Sequence, residues 1–375
     1  MLHHRLLKEK IVYWLNKRKV IVITGARQVG KTTLLKEIFN NQEALWLNGD
    51  EAQFRSRIET ITITGIQDLI GSYKTVIIDE IQRIANPGLL LKMMFDNFTN
   101  VQFVATGSSA LEIADKVFEP LTGRHVLFHL YPFSLSEVYP TATSFELEQH
   151  LQFHLRFGSY PDIVNNPNDA ELLISNLANQ YLYKDVLIWK DIRKPDLLDK
   201  LLRLIAYQIG SENSLHELAN SLKVKSETIE NYLDLLEKSF VLFRLKSYSN
   251  NPRKEVSKMS KIYFWDLGIR NAIIGDFRPL ELRNDVGALW ENFLISERLK
   301  SHAWIGNNTK SYFWRDLQQR EIDYIEANPA AIHAFEFKWN DTAKHKITKA
   351  FTNAYPQAIT QIITPINFKS FIFGQ

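Results

Sequence analysis

Cysteine is absent from the 375 residues. That excludes a disulfide framework, a thiolate nucleophile and any cysteine-ligated zinc centre, and it fits a reducing cytosol. Runs of 18 or more apolar residues are also missing, so no membrane span is expected. The opening Met1-Leu2-His3-His4-Arg5-Leu6-Leu7-Lys8 lacks the apolar stretch of a secretory signal, which makes a cytoplasmic protein the expectation. Charge of one sign is scarce: 45 Lys and Arg against 42 Asp and Glu leave a formal charge of +3, so any nucleic-acid surface must be local. There is no internal repeat and no low-complexity linker, and the 10 histidines are scattered without a zinc spacing.

What the chain does contain is apolar residue enough for packed cores, 45% hydrophobic against 23% charged. At roughly 150 residues per domain its length suggests two or three. From residue 20 to about 130 short apolar runs alternate with helix-like segments, as in a parallel sheet with helices on both faces. Val20–Thr24, Ala44–Asn48, Thr75–Asp79, Val101–Thr106 and His125–Leu130 are the expected strands, most of them too continuously apolar to have a wet face. Between about 134 and 240 the apolar period becomes helical. Leu215–Leu222, a turn at Lys223-Val224-Lys225 and a second helix from Ser226 resemble a helix-turn-helix, with Phe240–Leu245 and Lys261–Trp265 as a two-stranded wing. A helix around Trp290–Leu299 and strands at Ser311–Trp314, Glu321–Glu326, His333–Lys338 and Gln361–Thr364 then predict a further α/β domain.

Gly25-Ala26-Arg27-Gln28-Val29-Gly30-Lys31-Thr32 fits the G-x-x-x-x-G-K-[ST] phosphate loop, follows an apolar strand and leads into a helix from Thr33. Glycines let backbone N–H groups converge on phosphate oxygens, and the helix N-terminus adds its positive dipole end. ATP is the expected ligand, with Lys31 on the β- and γ-phosphates and the Thr32 hydroxyl on magnesium. Thr75-Val76-Ile77-Ile78-Asp79-Glu80 is an apolar strand ending in two acids: Asp79 to hold Mg2+ through water, Glu80 to polarise the attacking water. Gly107-Ser108-Ser109 follows the next strand and places a hydroxyl, expected to be that of Ser108, beside the γ-phosphate. Arg124 is a candidate for stabilising charge on the transferring phosphoryl group, in its own subunit or a neighbour's; the alternative is a surface arginine paired with a carboxylate.

These residues resemble the bacterial and archaeal AAA+-type ATPases that carry a C-terminal domain of unknown function with a restriction-endonuclease-like core. The resemblance runs nearly end to end, through Asp79-Glu80-Ile81-Gln82, Thr106-Gly107-Ser108-Ser109, Leu121-Thr122-Gly123-Arg124, Leu130–Glu137, Phe157-Gly158-Ser159-Tyr160-Pro161, Phe264–Gly268, Gly287–Phe293, Tyr312–Arg315 and Glu321–Tyr324. Ser159 stands where a second glycine is usual. The implied architecture is α/β throughout: an AAA+-like ATPase core over 1–135, a helical lid over 136–198, a winged helix over 199–278 and a restriction-endonuclease-like domain over 279–375.

The wing carries Arg244, Lys246, Arg253, Lys254, Lys258 and Lys261, opposed only by Glu255, so residues 244–261 are the expected DNA contact. The would-be recognition helix is acidic at Glu227, Glu230, Asp234 and Glu237, which favours a packing role for that unit instead. In the last domain Asp323, Glu336 and Lys338 fit D-x(n)-E-x-K, with Glu291 as a further acid. Glu336 and Lys338 share one face of a strand, so that a carboxylate and an ammonium can converge on one metal-bound water. Two expectations follow. One is a Mg2+-dependent ATPase whose hydrolysis drives or gates a nuclease-like module acting on DNA. The other is a regulatory or protein-interaction ATPase whose nuclease-like domain is an inactive docking platform. Self-association remains open in both.

Overall fold

The computed structural model describes residues 3–40, 43–108, 120–181, 195–249, 260–306, 309–340 and 346–374. Ser109 and the wing residues Arg253, Lys254, Glu255 and Lys258 lie outside the described residues. The chain divides into two compact units. One runs to Pro132 and adds Lys238–Phe240; the other is Phe133–Glu237 with the chain from Val241 onward.

The first unit is built on five parallel strands, β1 (Val20–Thr24), β2 (Leu45–Asn48), β3 (Thr75–Asp79), β4 (Gln102–Gly107) and β5 (His125–His129), in the order β2-β3-β4-β1-β5. The three inner strands are the continuously apolar ones. β1 and β4 are buried at every position, because helices cover both faces. The expectation of fully buried strands does not extend to β2 and β5. They close the two edges of the sheet, and β5 is half-buried along its whole length. On one face Val20, Val22, Ile66, Val76, Ile78, Leu91, Met94 and Phe103 form the core under the helices Ile63–Ile70 and Pro87–Asn97. Parallel pairing brings the C-terminal ends of β1, β3 and β4 to the same edge, with Thr24 opposite Gly107 and Ile78 opposite Ala105.

The second unit begins helically. Its first two helices, Leu135–Val138 and Ser144–Phe157, each start with a capping box: Ser134 with Glu137, and Thr143 with Glu146. The two helices expected on either side of the Lys223 turn are present, Leu215–Leu222 and Ser226–Lys238, with Lys223 left-handed (φ 55°). Seven strands form one sheet in this unit: β6 (Glu212–Asn213), which precedes those two helices, then β7 (Leu242–Ser247), β8 (Ser260–Phe264), β9 (Lys310–Arg315), β10 (Glu321–Ala327), β11 (Ile332–Phe337) and β12 (Ile359–Ile363), in the order β12-β11-β10-β9-β7-β8-β6. β7 and β8, expected as a separate wing, are joined to the last strands because β7 pairs in parallel with β9, Lys246 opposite Tyr312 and Ser247 opposite Phe313. The boundary expected at 278/279 therefore falls inside one sheet. Among the described residues no helix is long and apolar enough to cross a membrane.

Candidate functional site

The phosphate loop leaves β1 at the sheet's C-terminal edge and turns into the helix Lys31–Ile38. Gln28 (φ 61°) and Gly30 (φ 94°) take left-handed backbone, while Ala26 and Val29 are fully buried and hold the loop down. Gly25 is required by the chain just after β5: a Cβ there would lie 2.1 Å from the Leu130 carbonyl oxygen. Arg5, outside every motif, is 4% exposed and donates to the carbonyls of Val29 (2.9 Å) and Tyr131 (2.6 Å), tying the loop to the end of β5. The Lys31 ammonium is buried inside the loop and donates to Gly25 O and Ala26 O at 2.9 Å each. Arg27 is half-buried, and Thr33 faces outward on the first helical turn.

Beside the loop, the end of β3 meets the start of that helix. The Thr32 hydroxyl donates to Asp79 Oδ2 at 2.7 Å, and the Thr106 hydroxyl of β4 donates to Asp79 Oδ1. A hydroxyl and a carboxylate in contact form an all-oxygen donor pair, which suits a magnesium ion. Glu80 is left-handed (φ 51°), and its backbone N–H donates to Thr106 Oγ1 at 3.3 Å. Gln82 Nε2 donates to Glu80 Oε2 (2.5 Å) and to Ser108 Oγ (3.0 Å). Thr32, Asp79, Glu80 and Ser108 are thus brought together with Lys31 on one edge of the sheet. Thr106 and Gln82 join them without having been singled out as site residues in the sequence. Thr106 was legible as the alternation partner of Ser108; Gln82 had only its nearness to the two acids.

Arg124 goes elsewhere. It precedes β5, and its carbonyl accepts from the N–H of Val20, the first residue of β1. Five strand residues at about 3.3 Å each separate that edge from the phosphate loop. Its guanidinium pairs with Asp96 at 3.0 Å on the surface. This corrects the expectation that it serves the nucleotide of its own subunit, because a parallel strand has its start and its end on opposite edges.

In the second unit the four expected residues do gather, with company. Glu291 extends from the helix Val286–Ile305, and Glu321 and Asp323 from β10. Their carboxylate oxygens lie within 4.8 Å of one another. Pairing of β10 with β9 slips by one residue between Ile322 and Ile325, a bulge that holds Asp323. Asp323 Oδ2 accepts from the Phe337 N–H at 2.7 Å, and Glu336 Oε1 accepts from Lys338 Nζ at 2.7 Å. Burial, then the nearby Glu291 and Glu336, holds the Asp323 carboxyl well above the usual range. Burial raises Glu336 against the pull of Lys338. Lys261 was expected to face DNA. Instead it is 2% exposed and donates to Glu291 Oε1 at 2.8 Å and to Glu321 Oε1. Tyr263, also on β8, donates to Glu291 Oε1 at 2.5 Å. Arg244 likewise turns inward on the acidic helix, to Glu237 (2.6 Å) and Asp234. Of the wing cations within the described residues, Lys246 is exposed.

Three family models match the chain. Residues 17–139 match an AAA domain, 148–280 a domain of unknown function (DUF8612) and 286–367 a second domain of unknown function (DUF4143). An uncharacterized protein of Methanocaldococcus jannaschii is 31% identical over 314 residues, 72% of this chain and 65% of its own length. An uncharacterized protein of Mycobacterium tuberculosis is 27% identical over 336 residues, 88% of this chain and 72% of its own. This chain therefore spans about two thirds of the archaeal relative. Among solved structures, a Walker-type ATPase of Pyrococcus abyssi is similar over 71% of this chain and 94% of its own, at 16% identity and a TM-score of 0.49. The AAA-domain match falls on the parallel sheet and its phosphate loop, and together they define the first unit as a P-loop domain of the AAA class.

Proposed function

We propose that the protein is a magnesium-dependent ATPase. The observation that carries this reading is the Thr32–Asp79 hydrogen bond of 2.7 Å, which joins the phosphate loop's helix to the acidic end of β3 beside Lys31 and Glu80. Thr32 and Asp79 would hold Mg2+, which when bound offsets phosphate charge. The loop from Gly25 to Thr32 cradles the phosphates with its N–H groups, and Lys31 exchanges its loop carbonyls for β- and γ-phosphate oxygens. Water oxygen bonds to the γ-phosphorus as the bond to the β–γ bridging oxygen breaks, and Glu80 accepts the water's proton. The test is ATP turnover and nucleotide binding by wild type, Lys31→Ala and Glu80→Gln. Binding should weaken in the first; the second should bind but turn over about 100-fold or more slowly. Equal turnover in all three overturns the reading.

For the second unit the reading is a nuclease-like site gated by ATP hydrolysis, with Asp323 and Glu336 holding a divalent cation and Lys338 orienting water. It is supported by the Glu336–Lys338 pair at 2.7 Å and by the raised carboxyls, which repel one another unless a proton or cation intervenes. Lys261 pairs with Glu291 and Glu321, the acids within 4.8 Å of Asp323, so a cation bound there would compete with its ammonium. The rival, a protein-docking unit to which DNA is irrelevant, is favoured by the inward commitment of Arg244 and Lys261. For Arg124, stabilising charge on the transferring phosphoryl group is retained only at a neighbouring copy's nucleotide.

A further inference from the structure

We propose that Gln82 is a positioning residue for hydrolysis. Its side-chain amide joins the Glu80 carboxylate to the Ser108 hydroxyl and holds the base in register with the group that meets the γ-phosphate. The proposal rests on the ATPase reading and deepens it.

The backbone is bent to make this contact. Glu80 occupies left-handed space (φ 51°, ψ 46°), a conformation that costs a non-glycine residue free energy and is kept where surroundings enforce it. It opens a 3-10 turn, Ile81–Arg83, closed by the Arg83 N–H donating to Glu80 O at 3.0 Å. Gly49 leaves room for the bend: a Cβ there would stand 2.3 Å from Glu80 O, and its N–H donates to Asp79 O at 2.8 Å. An extended chain would put residues 80 and 82 on one face but pointing in parallel. The tight turn instead brings the Gln82 amide onto the Glu80 carboxylate.

Donor and acceptor chemistry fixes which way the amide points. A carboxylate only accepts, so the nitrogen faces Glu80, at 2.5 Å from Oε2. The same nitrogen reaches Ser108 Oγ at 3.0 Å. A serine that accepts from Gln82 keeps its own proton to donate, and a phosphate oxygen is an acceptor. Ser108, Gln82 and Glu80 thus form a chain from phosphate to base, spanning the ends of β4 and β3. Meanwhile Gln82 Oε1 is buried with no hydrogen-bond partner among the described residues. Thr106 secures the other end of Glu80 through its backbone N–H, so that base is fixed at both main chain and carboxylate.

Steady-state ATP turnover and ADP binding by Gln82→Ala, and by the near-isosteric Gln82→Glu, test the proposal. ADP affinity should stay within about twofold of wild type, while kcat falls about 10- to 100-fold with little change in KM, the mark of a misplaced reacting group. Gln82→Glu, which sets a second negative charge against Glu80, should lose at least as much. Ser108→Ala should add less in the Gln82→Ala background than in wild type, since both act through one chain of bonds. ADP binding reports folding in every variant. Undiminished kcat in Gln82→Ala, fully additive losses with Ser108→Ala, or a defect confined to ADP binding would each overturn the proposal while leaving the ATPase reading intact. Absence of turnover in wild type would bring down both.

Discussion

The buried imidazole of His154 gives the second unit a defined response to acid. His154 is enclosed on the helix Ser144–Phe157, its Nδ1 2.8 Å from Ser159 Oγ and its Nε2 3.3 Å from Tyr139 OH. Burial first, then the charges of Lys300 and His150, lowers its pKa to about 3 from an ordinary 6.5. In the unfolded chain the ring takes a proton near 6.5; in the folded protein it resists. The stability this contributes is therefore complete above pH 6.5 and lost progressively as pH falls from 6.5 toward 3, by up to about 1.4 kcal/mol per pH unit. Denaturant unfolding at pH 7, 5.5 and 4.5 should show that slope, and His154→Gln, which keeps a polar group toward Ser159, should flatten it. Parallel pH dependence in the two proteins would contradict the assignment. His129 in the first unit, lowered by burial to about 4, acts in the same sense.

Among elements, the most consequential contact is the one Lys261 makes from β8 to the helix bearing Glu291 and to β10 bearing Glu321. Burial alone would push its ammonium down, but the two carboxylates outweigh that and raise it, so it stays charged. Lys261→Met should remove the buried cation from Glu291 and leave Glu321 to Arg315, whose Nε lies 3.5 Å from Oε2. The expected loss is about 3–5 kcal/mol of unfolding free energy, read from denaturant midpoints. A change below about 1 kcal/mol would mean that the acids find solvent or protons at little cost. The same contact explains why the wing reading of the basic stretch is only partly realised. A strand's alternation tells which residues share a face, but not that β7 will pair with β9 and draw that face under a helix.

For the whole molecule, the question is whether the two sites work on one task. Plasmid nicking with magnesium or manganese, in the presence and absence of ATP, addresses it. A nuclease gated by hydrolysis should nick only with metal, should respond to ATP in wild type but not in Lys31→Ala, and should lose activity in Asp323→Ala and Lys338→Ala. Metal-induced thermal stabilisation in a Lys31→Ala background, lost in Asp323→Ala without any nicking, would assign the site to metal binding alone. No metal response would leave these residues an internal ion cluster and favour the docking reading. The AAA-domain match covers residues 17–139 and does not bear on this choice.

Sequence alone determined the parallel sheet, the phosphate loop and its acidic partner strand, because these are written in contiguous residues: an apolar run, a glycine spacing, a run ending in Asp79-Glu80. It also determined that Asp323, Glu336, Lys338 and Glu291 belong together, through strand alternation and resemblance. Only the tertiary structure decided which edge of the sheet receives Arg124, that Arg5 and Leu130 shape the loop, that Gln82 turns back onto Glu80, and that Lys261 lies among carboxylates. Each of these depends on strand order, a left-handed residue or a pairing between distant segments. Local periodicity carries no information about which distant segment will become the neighbour.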